Sequence, residues 1–185
     1  GEAIRILTRD VDELEIVQKD IDLTPDGDRI SALQFIIGRN TLIVGTDGGN
    51  TYGFFRVPDD DSPDNFRLTL TQTMPKADAP VTALTSSARQ RIFGTGYADG
   101  TVKIFYMTGA NQIAITDAGD DAVQALAITP KDDGLFAVSQ DTMTRWQFDP
   151  RYPEASLKSL FTPVWYEGYA EPTFVWQSSS ATDDA

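Results

Sequence analysis

Among the groups in this chain that could do chemistry, carboxylates gather in short runs: Asp26-Gly27-Asp28, Asp59-Asp60-Asp61 with Asp64, and Asp132-Asp133-Gly134. The second run could ligate a hard cation such as calcium, which prefers several oxygen ligands. It lacks the Gly and the distal Glu of a calcium-binding loop, so a solvated surface loop is the better reading. The other two read as turns, because Asp accepts local backbone hydrogen bonds and Gly tolerates positive φ. Gly94-Thr95-Gly96 is no phosphate cradle, since neither a helix nor a Lys follows in the required place. Lys158-Ser159 has nothing to activate its hydroxyl and reads as surface. The chain has no His and no Cys. That removes Ser-His and Cys-His triads, imidazole and thiolate metal ligands, disulfides and iron–sulfur clusters. Carboxylate, Lys, Tyr or Ser–Lys chemistry stays formally open. The expectation is a non-enzyme with no catalytic, cofactor-binding or metal-binding residue.

With 28 acidic against 15 basic residues, the formal net charge is -13. Such a field repels a phosphate backbone, so nucleic acid is not an expected partner. The simplest meaning of the acidity is solubility. At 185 residues, with 41% hydrophobic and 23% charged residues, the chain is long and apolar enough for one domain with a real core. No apolar run approaches the roughly 18–20 residues of a membrane span. The abrupt start at Gly1 points to a piece cut from a longer protein.

The elements that must position any site are short β-branched and aromatic runs between turn residues, the pattern of an all-β protein. Internal repetition is the main signal. Ile30-Ser31-Ala32-Leu33, Val81-Thr82-Ala83-Leu84 and Val123-Gln124-Ala125-Leu126 share the order β-branched, polar, Ala, Leu. Each opens a unit with a second run at 41–46, 91–96 or 135–140. A third run follows at 51–57, 101–107 or 143–148, and a fourth at 66–73, 112–116 or 157–161. An aspartate, Asp47, Asp99 or Asp141, opens the turn between the second and third runs. Four strands in roughly 40–45 residues is the repeat of a propeller blade. The first unit is longer because of a loop insertion at 58–65.

The N-terminal segment fits as half a unit, with a third strand at 3–7 and a fourth within 14–23. Val11, Leu14, Val17 and Ile21 also lie at roughly helical spacing, but the alternation of Ile4-Arg5-Ile6 and the repeat favour strands. The fold expected is therefore an incomplete β-propeller over 1–162, with three full four-stranded blades and a half blade, repeats starting near 30, 81 and 123. A closed propeller needs at least four blades. The chain thus belongs to a larger propeller-like domain or closes by self-association through its open sheet edge.

Ala98-Asp99-Gly100-Thr101-Val102-Lys103-Ile104-Phe105 resembles the turn and third strand of WD-type repeats, although the Trp-Asp and Gly-His dipeptides of those repeats are missing. Asp47, Asp99, Gly100 and Asp141 are accordingly expected to be structural turn residues that fix hairpin register.

The tail differs in composition. Residues 163–176 read as an aromatic exit segment and 177–185 as a disordered linker. Val164-Trp165-Tyr166-Glu167-Gly168-Tyr169, then Pro172 and Phe174-Val175-Trp176-Gln177-Ser178-Ser179-Ser180, resembles the stretch before the permease core in long forms of the bacterial phosphate ABC transporter permease. In those long forms a propeller-like insert lies between the first membrane helix and the core. The resemblance implies an extracytoplasmic, periplasmic accessory domain of an inner-membrane protein. It also implies other transporter subunits or the phosphate-binding protein as partners. No permease-core residue lies in this chain, so the resemblance carries over no site residue. A generic soluble propeller scaffold for protein–protein contacts is the alternative.

Overall fold

The computed structural model describes residues 3–9, 14–62, 65–140, 142–148 and 161–166. Strands β1 (Ala3–Arg9) and β2 (Leu14–Asp22) pair antiparallel as a two-stranded half sheet. The segment with the competing helical spacing is therefore a strand. A first full sheet holds β3 (Ile30–Phe35), β4 (Thr41–Thr46), β5 (Thr51–Pro58) and β6 (Phe66–Thr73). A second holds β7 (Val81–Ser86), β8 (Ile92–Tyr97), β9 (Thr101–Tyr106) and β10 (Asn111–Asp117), with a 3-10 turn at Met107–Gly109. The third holds β11 (Val123–Ile128), β12 (Gly134–Ser139), β13 (Thr142–Phe148) and β14 (Phe161–Tyr166). Each is an antiparallel meander in chain order.

The fourth run of the last unit lies later than its sequence suggests. Expected at 157–161, the strand is Phe161–Tyr166, with Pro163 opposite Trp146. The first residues of the aromatic segment thus complete the sheet. A proline gives no amide to a ladder, but β14 is an edge strand, where that is tolerated.

The sheets stack face to face in chain order, β3 against β7 and β7 against β11. A lone hairpin is marginal in water, so the layers between sheets supply most of the stability. Ile21 and Leu23 follow the half sheet onto Leu42, Val44, Tyr52, Phe54 and Leu68 of the first sheet. Between the first and second sheets, Ile36, Ile43 and Met74 pack with Phe93, Phe105 and Met107, the two phenylalanine rings stacked at 5.3 Å. Ala77, Ala79, Val81 and Tyr97 continue that layer. The next layer centres on Trp146, Val102, Val123 and Leu135. Fully burying one such side chain stabilises the fold by roughly 1.5–3 kcal/mol. Strand β4 is buried along its whole length, Thr41 to Thr46, because sheets cover both of its faces. That explains its unbroken apolar run where alternation would mark a half-exposed strand.

Candidate interaction surface

The repeated tetrad that opens each unit has a geometric meaning. The ladder register slips once between its first and third residues in all three sheets: at Ile30/Ala32, Val81/Ala83 and Val123/Ala125. The polar second residue (Ser31, Thr82 or Gln124) is the extra residue of a β-bulge. In a regular strand positions one and four face opposite sides. The bulge restores them to one side, so the β-branched residue and the Leu together face the preceding sheet.

That ridge enters a socket. The residue paired with the tetrad's Ala is Gly45 in the first sheet and Gly96 in the second. A Cβ built on Gly45 would lie 2.9 Å from the Cβ of Val81, and one on Gly96 would lie 2.8 Å from the Cβ of Val123. Both distances are shorter than real side chains tolerate, so only glycine lets these sheets approach. Val81 and Val123 are accordingly sealed, 1% and 0% exposed. In the third sheet the same register position, opposite Ala125, is Val138.

In the first tetrad Ile30 packs, partly buried, against the core that holds Ile21, Leu23 and Tyr52. Leu33 is 47% exposed, Phe35 50% and Ile37 41%. Its counterparts Leu84 and Leu126 are half-buried against neighbouring cores. Leu33 and Phe35 share one face, since alternate residues of a strand do, and Ile37 follows in the β3–β4 turn.

The strand ends carry the charge. Antiparallel order brings residues 23–29, 47–50, 74–80, 98–100 and 118–122 to one end of the array. That end holds Asp26, Asp28, Asp47, Asp78, Asp99, Asp120 and Asp121 against Arg29 and Lys76. Several of these carboxylates are structural. Asp28 accepts hydrogen bonds from Asn50 Nδ2 at 2.7 Å and Thr46 Oγ1 at 2.9 Å, which hold its carboxyl below the ordinary value. Asp26 accepts the Tyr52 hydroxyl at 2.7 Å. The loop before β3 is thereby clamped to the β4–β5 turn.

Asp47 and Asp99 lie in corresponding turns, but one position apart. Gly49 (φ 82) and Gly100 (φ 80) occupy the same left-handed position, each amide donating three residues back, to Thr46 and Tyr97 respectively. Asp47 stands two residues before its glycine and accepts the Arg29 amide at 2.9 Å, eighteen residues away in sequence. Asp99 stands one residue before its glycine and accepts the Thr101 amide at 3.0 Å. Asp141 lies outside the described residues. At the opposite end Asp132, itself at φ 59, accepts Ser87 Oγ at 2.9 Å and Gln90 Nε2 at 3.3 Å, tying the second sheet to the third. Asp59 pairs with Arg67 at 2.9 Å, and among the described residues no three metal-competent side chains cluster.

One buried polar group was invisible in the sequence. Burial pushes the Tyr97 hydroxyl up to about 12. Thr51 and Thr95 lie close enough to oppose the shift, yet none of the three hydroxyls has a well-formed hydrogen bond. The socket glycines were equally hidden: they sit inside runs whose pattern announces only strands. The signal that could have found them is their constant offset from the tetrads.

These features define an all-β protein of successive antiparallel four-stranded meanders. No protein-family model matches the chain, and no curated protein matches it. Among solved structures it is similar to the computationally designed Ika4 protein, at 19% identity and a TM-score of 0.57, over 77% of this chain and 75% of that one. It is also similar to the computationally designed Ika8 protein, at 21% identity and a TM-score of 0.51, over 64% of this chain and 33% of that one. At these identities the likeness concerns the fold alone.

Proposed function

We propose that this chain is a non-enzymatic, propeller-type interaction module of three full blades and a half blade, serving as an accessory domain of a phosphate-import ABC transporter permease. The observation that carries the blade reading is the open array itself. Three meanders of one register stack through a repeated ridge and socket, preceded by a sheet of two strands among the described residues. Such an array suits the C-terminal part of a longer propeller-like insert. The transporter assignment is supported by the resemblance of the aromatic tail to the stretch before the permease core. Most sheet faces are taken up in stacking, so the loop ends and the exposed face of β3 are what remain for partners, here other transporter subunits or the phosphate-binding protein on the periplasmic side. The carboxylates best placed for chemistry, Asp28, Asp47 and Asp132, are engaged in turns.

Hydropathy of the parent reading frame beyond Ala185 tests the transporter reading. A run of about 20 apolar residues within a few tens of positions is expected. A polar continuation or a stop codon would sink it, leaving a soluble propeller scaffold for protein–protein contacts. Co-purification of the parent protein with the phosphate-binding protein then tests the partner.

A further inference from the structure

We infer that the end of the array opposite the acidic one docks on an anionic lipid surface. The inference rests on where the described residues lie and depends on neither the blade reading nor the transporter assignment. Three equivalent turns join the first and second strands of the full sheets at this end. The amides of Ile36, Ser87 and Thr129 each donate to the carbonyl five residues on, of Thr41, Ile92 and Gly134. Ser86 Oγ donates to the Phe35 carbonyl and Ser87 Oγ to the Asp132 carboxylate, which holds the three turns side by side. The next residue in each turn is apolar and exposed: Ile37, Ala88 and Pro130. A cation follows within two positions, Arg39, Arg89 or Lys131, and Arg91 closes the second turn; all four are exposed.

Large apolar side chains gather at the same end. Among the described residues, five of the eight exposed large hydrophobic side chains lie there. Phe35 closes β3 and Ile37 follows it, Phe55 stands opposite Thr41 at the start of β4, Phe66 opens β6 and Tyr106 closes β9. The Arg56 guanidinium lies 4.1 Å over the Phe66 ring. None of the eight lies in the acidic turns. The carboxylates of the apolar end are mostly engaged: Asp59 with Arg67, Asp132 with Ser87 and Asp133 with Thr129. Asp60 and Asp61 remain, out in the insertion between β5 and β6.

Aromatic side chains and arginines together suit the boundary between lipid headgroups and water, and a negative bilayer surface attracts such cations. The acidic end does not cancel this attraction. A six-residue strand spans roughly 20 Å, more than two Debye lengths of about 8 Å at physiological salt. The charge separation instead orients the molecule, carboxylates away from the bilayer. An acidic protein would meet the same cations, but the features repeat laterally from turn to turn and do not converge on one point. A continuous lipid surface fits that repetition better.

Co-sedimentation of the 185-residue chain with vesicles tests the inference. Vesicles of equal parts phosphatidylglycerol and phosphatidylcholine are expected to bind it at low salt, and pure phosphatidylcholine far less. Each charge removed at this end should weaken binding about fivefold, so Arg89→Gln with Arg91→Gln together should weaken it by roughly twenty- to thirtyfold. Lys76→Gln, a cation lost at the acidic end, should leave binding unchanged. Ile37→Ser should weaken it too. An unchanged urea midpoint shows that each variant folds as the parent does. Failure to bind the anionic vesicles would overturn the inference, and capture on immobilised polyglutamate in that case would make an acidic protein the partner. Equal loss with Lys76→Gln would overturn the assignment to this end. Equal binding to neutral vesicles would overturn the role of the cations.

Discussion

Replacing Gly96 by Ala adds one methyl group at the point where the second and third sheets touch most closely. The new Cβ would lie 2.8 Å from the Cβ of Val123 and 3.3 Å from Leu126 Cδ1. Val123 is 0% exposed and anchored in its strand, so it has little room to retreat. Overpacking of this kind costs about 1–3 kcal/mol. Reduced freedom of the unfolded chain returns about 0.4–1 kcal/mol. The net expectation is a loss of about 1–2 kcal/mol, or a fall in Tm of roughly 2–8 °C for a chain of this size. Val123→Ala alone removes buried methyl groups and leaves a cavity, costing about 2 kcal/mol. In the double variant the methyl of residue 96 enters the space the valine vacated. The combined loss should therefore fall short of the sum by about 1 kcal/mol or more. Urea unfolding followed by the fluorescence of buried Trp146 and by circular dichroism measures all three. Additivity within about 0.5 kcal/mol would refute the socket, because uncoupled sites add to that precision.

Tyr97→Phe should be neutral or stabilising by about 1 kcal/mol at pH 7, since the lost hydroxyl is buried without a good partner. The Tyr97 proton is held more tightly in the folded state, so its contribution is present below the unfolded value near pH 10 and is lost as pH rises toward about 12. The phenylalanine variant should lose less stability across that window, as read by urea midpoints at successive pH values. Asp28→Asn tests the opposite limb. A depressed carboxyl contributes stability above its unfolded value and loses it as pH falls through the folded one. The variant should be less stable near neutrality and show a flatter decline below about pH 4, which acid-titration circular dichroism would reveal. Asp132→Ala should cost about 1–2 kcal/mol through the loss of Ser87 and Gln90, whereas Asp132→Asn, which tolerates the left-handed backbone, should cost less by urea unfolding.

The strands were legible because each obeys a local rule: alternation or a short apolar run, closed by Gly, Asp or Asn. The tetrads Ile30 to Leu33, Val81 to Leu84 and Val123 to Leu126 gave the units, since a repeated fold must place repeated residues alike. Their bulge was not legible. A one-residue slip leaves no trace in composition, and a polar residue in second position reads as ordinary alternation. Gly45 and Gly96 were hidden for a related reason, because their meaning lies in Val81 and Val123 of the following sheet, at 36 and 27 residues' remove. The last strand was misplaced because Pro163 reads as a boundary, and only its position at a sheet edge makes it acceptable. Asp47 and Asp99 appeared equivalent by spacing, yet Gly49 and Gly100 are the residues that truly correspond.

Val138 gives the array a direction of growth. A gene segment encoding residues 80–122 carries a β-branched ridge on one side and a glycine socket on the other, so its tandem duplication would insert a further sheet that fits both neighbours. The segment encoding the last sheet has no such freedom, because each copy would confront its successor with a valine in the wrong place. Interior copies can thus be added to this architecture without altering either contact, whereas a copy of the third sheet would fit such a contact only with Val138 exchanged for glycine.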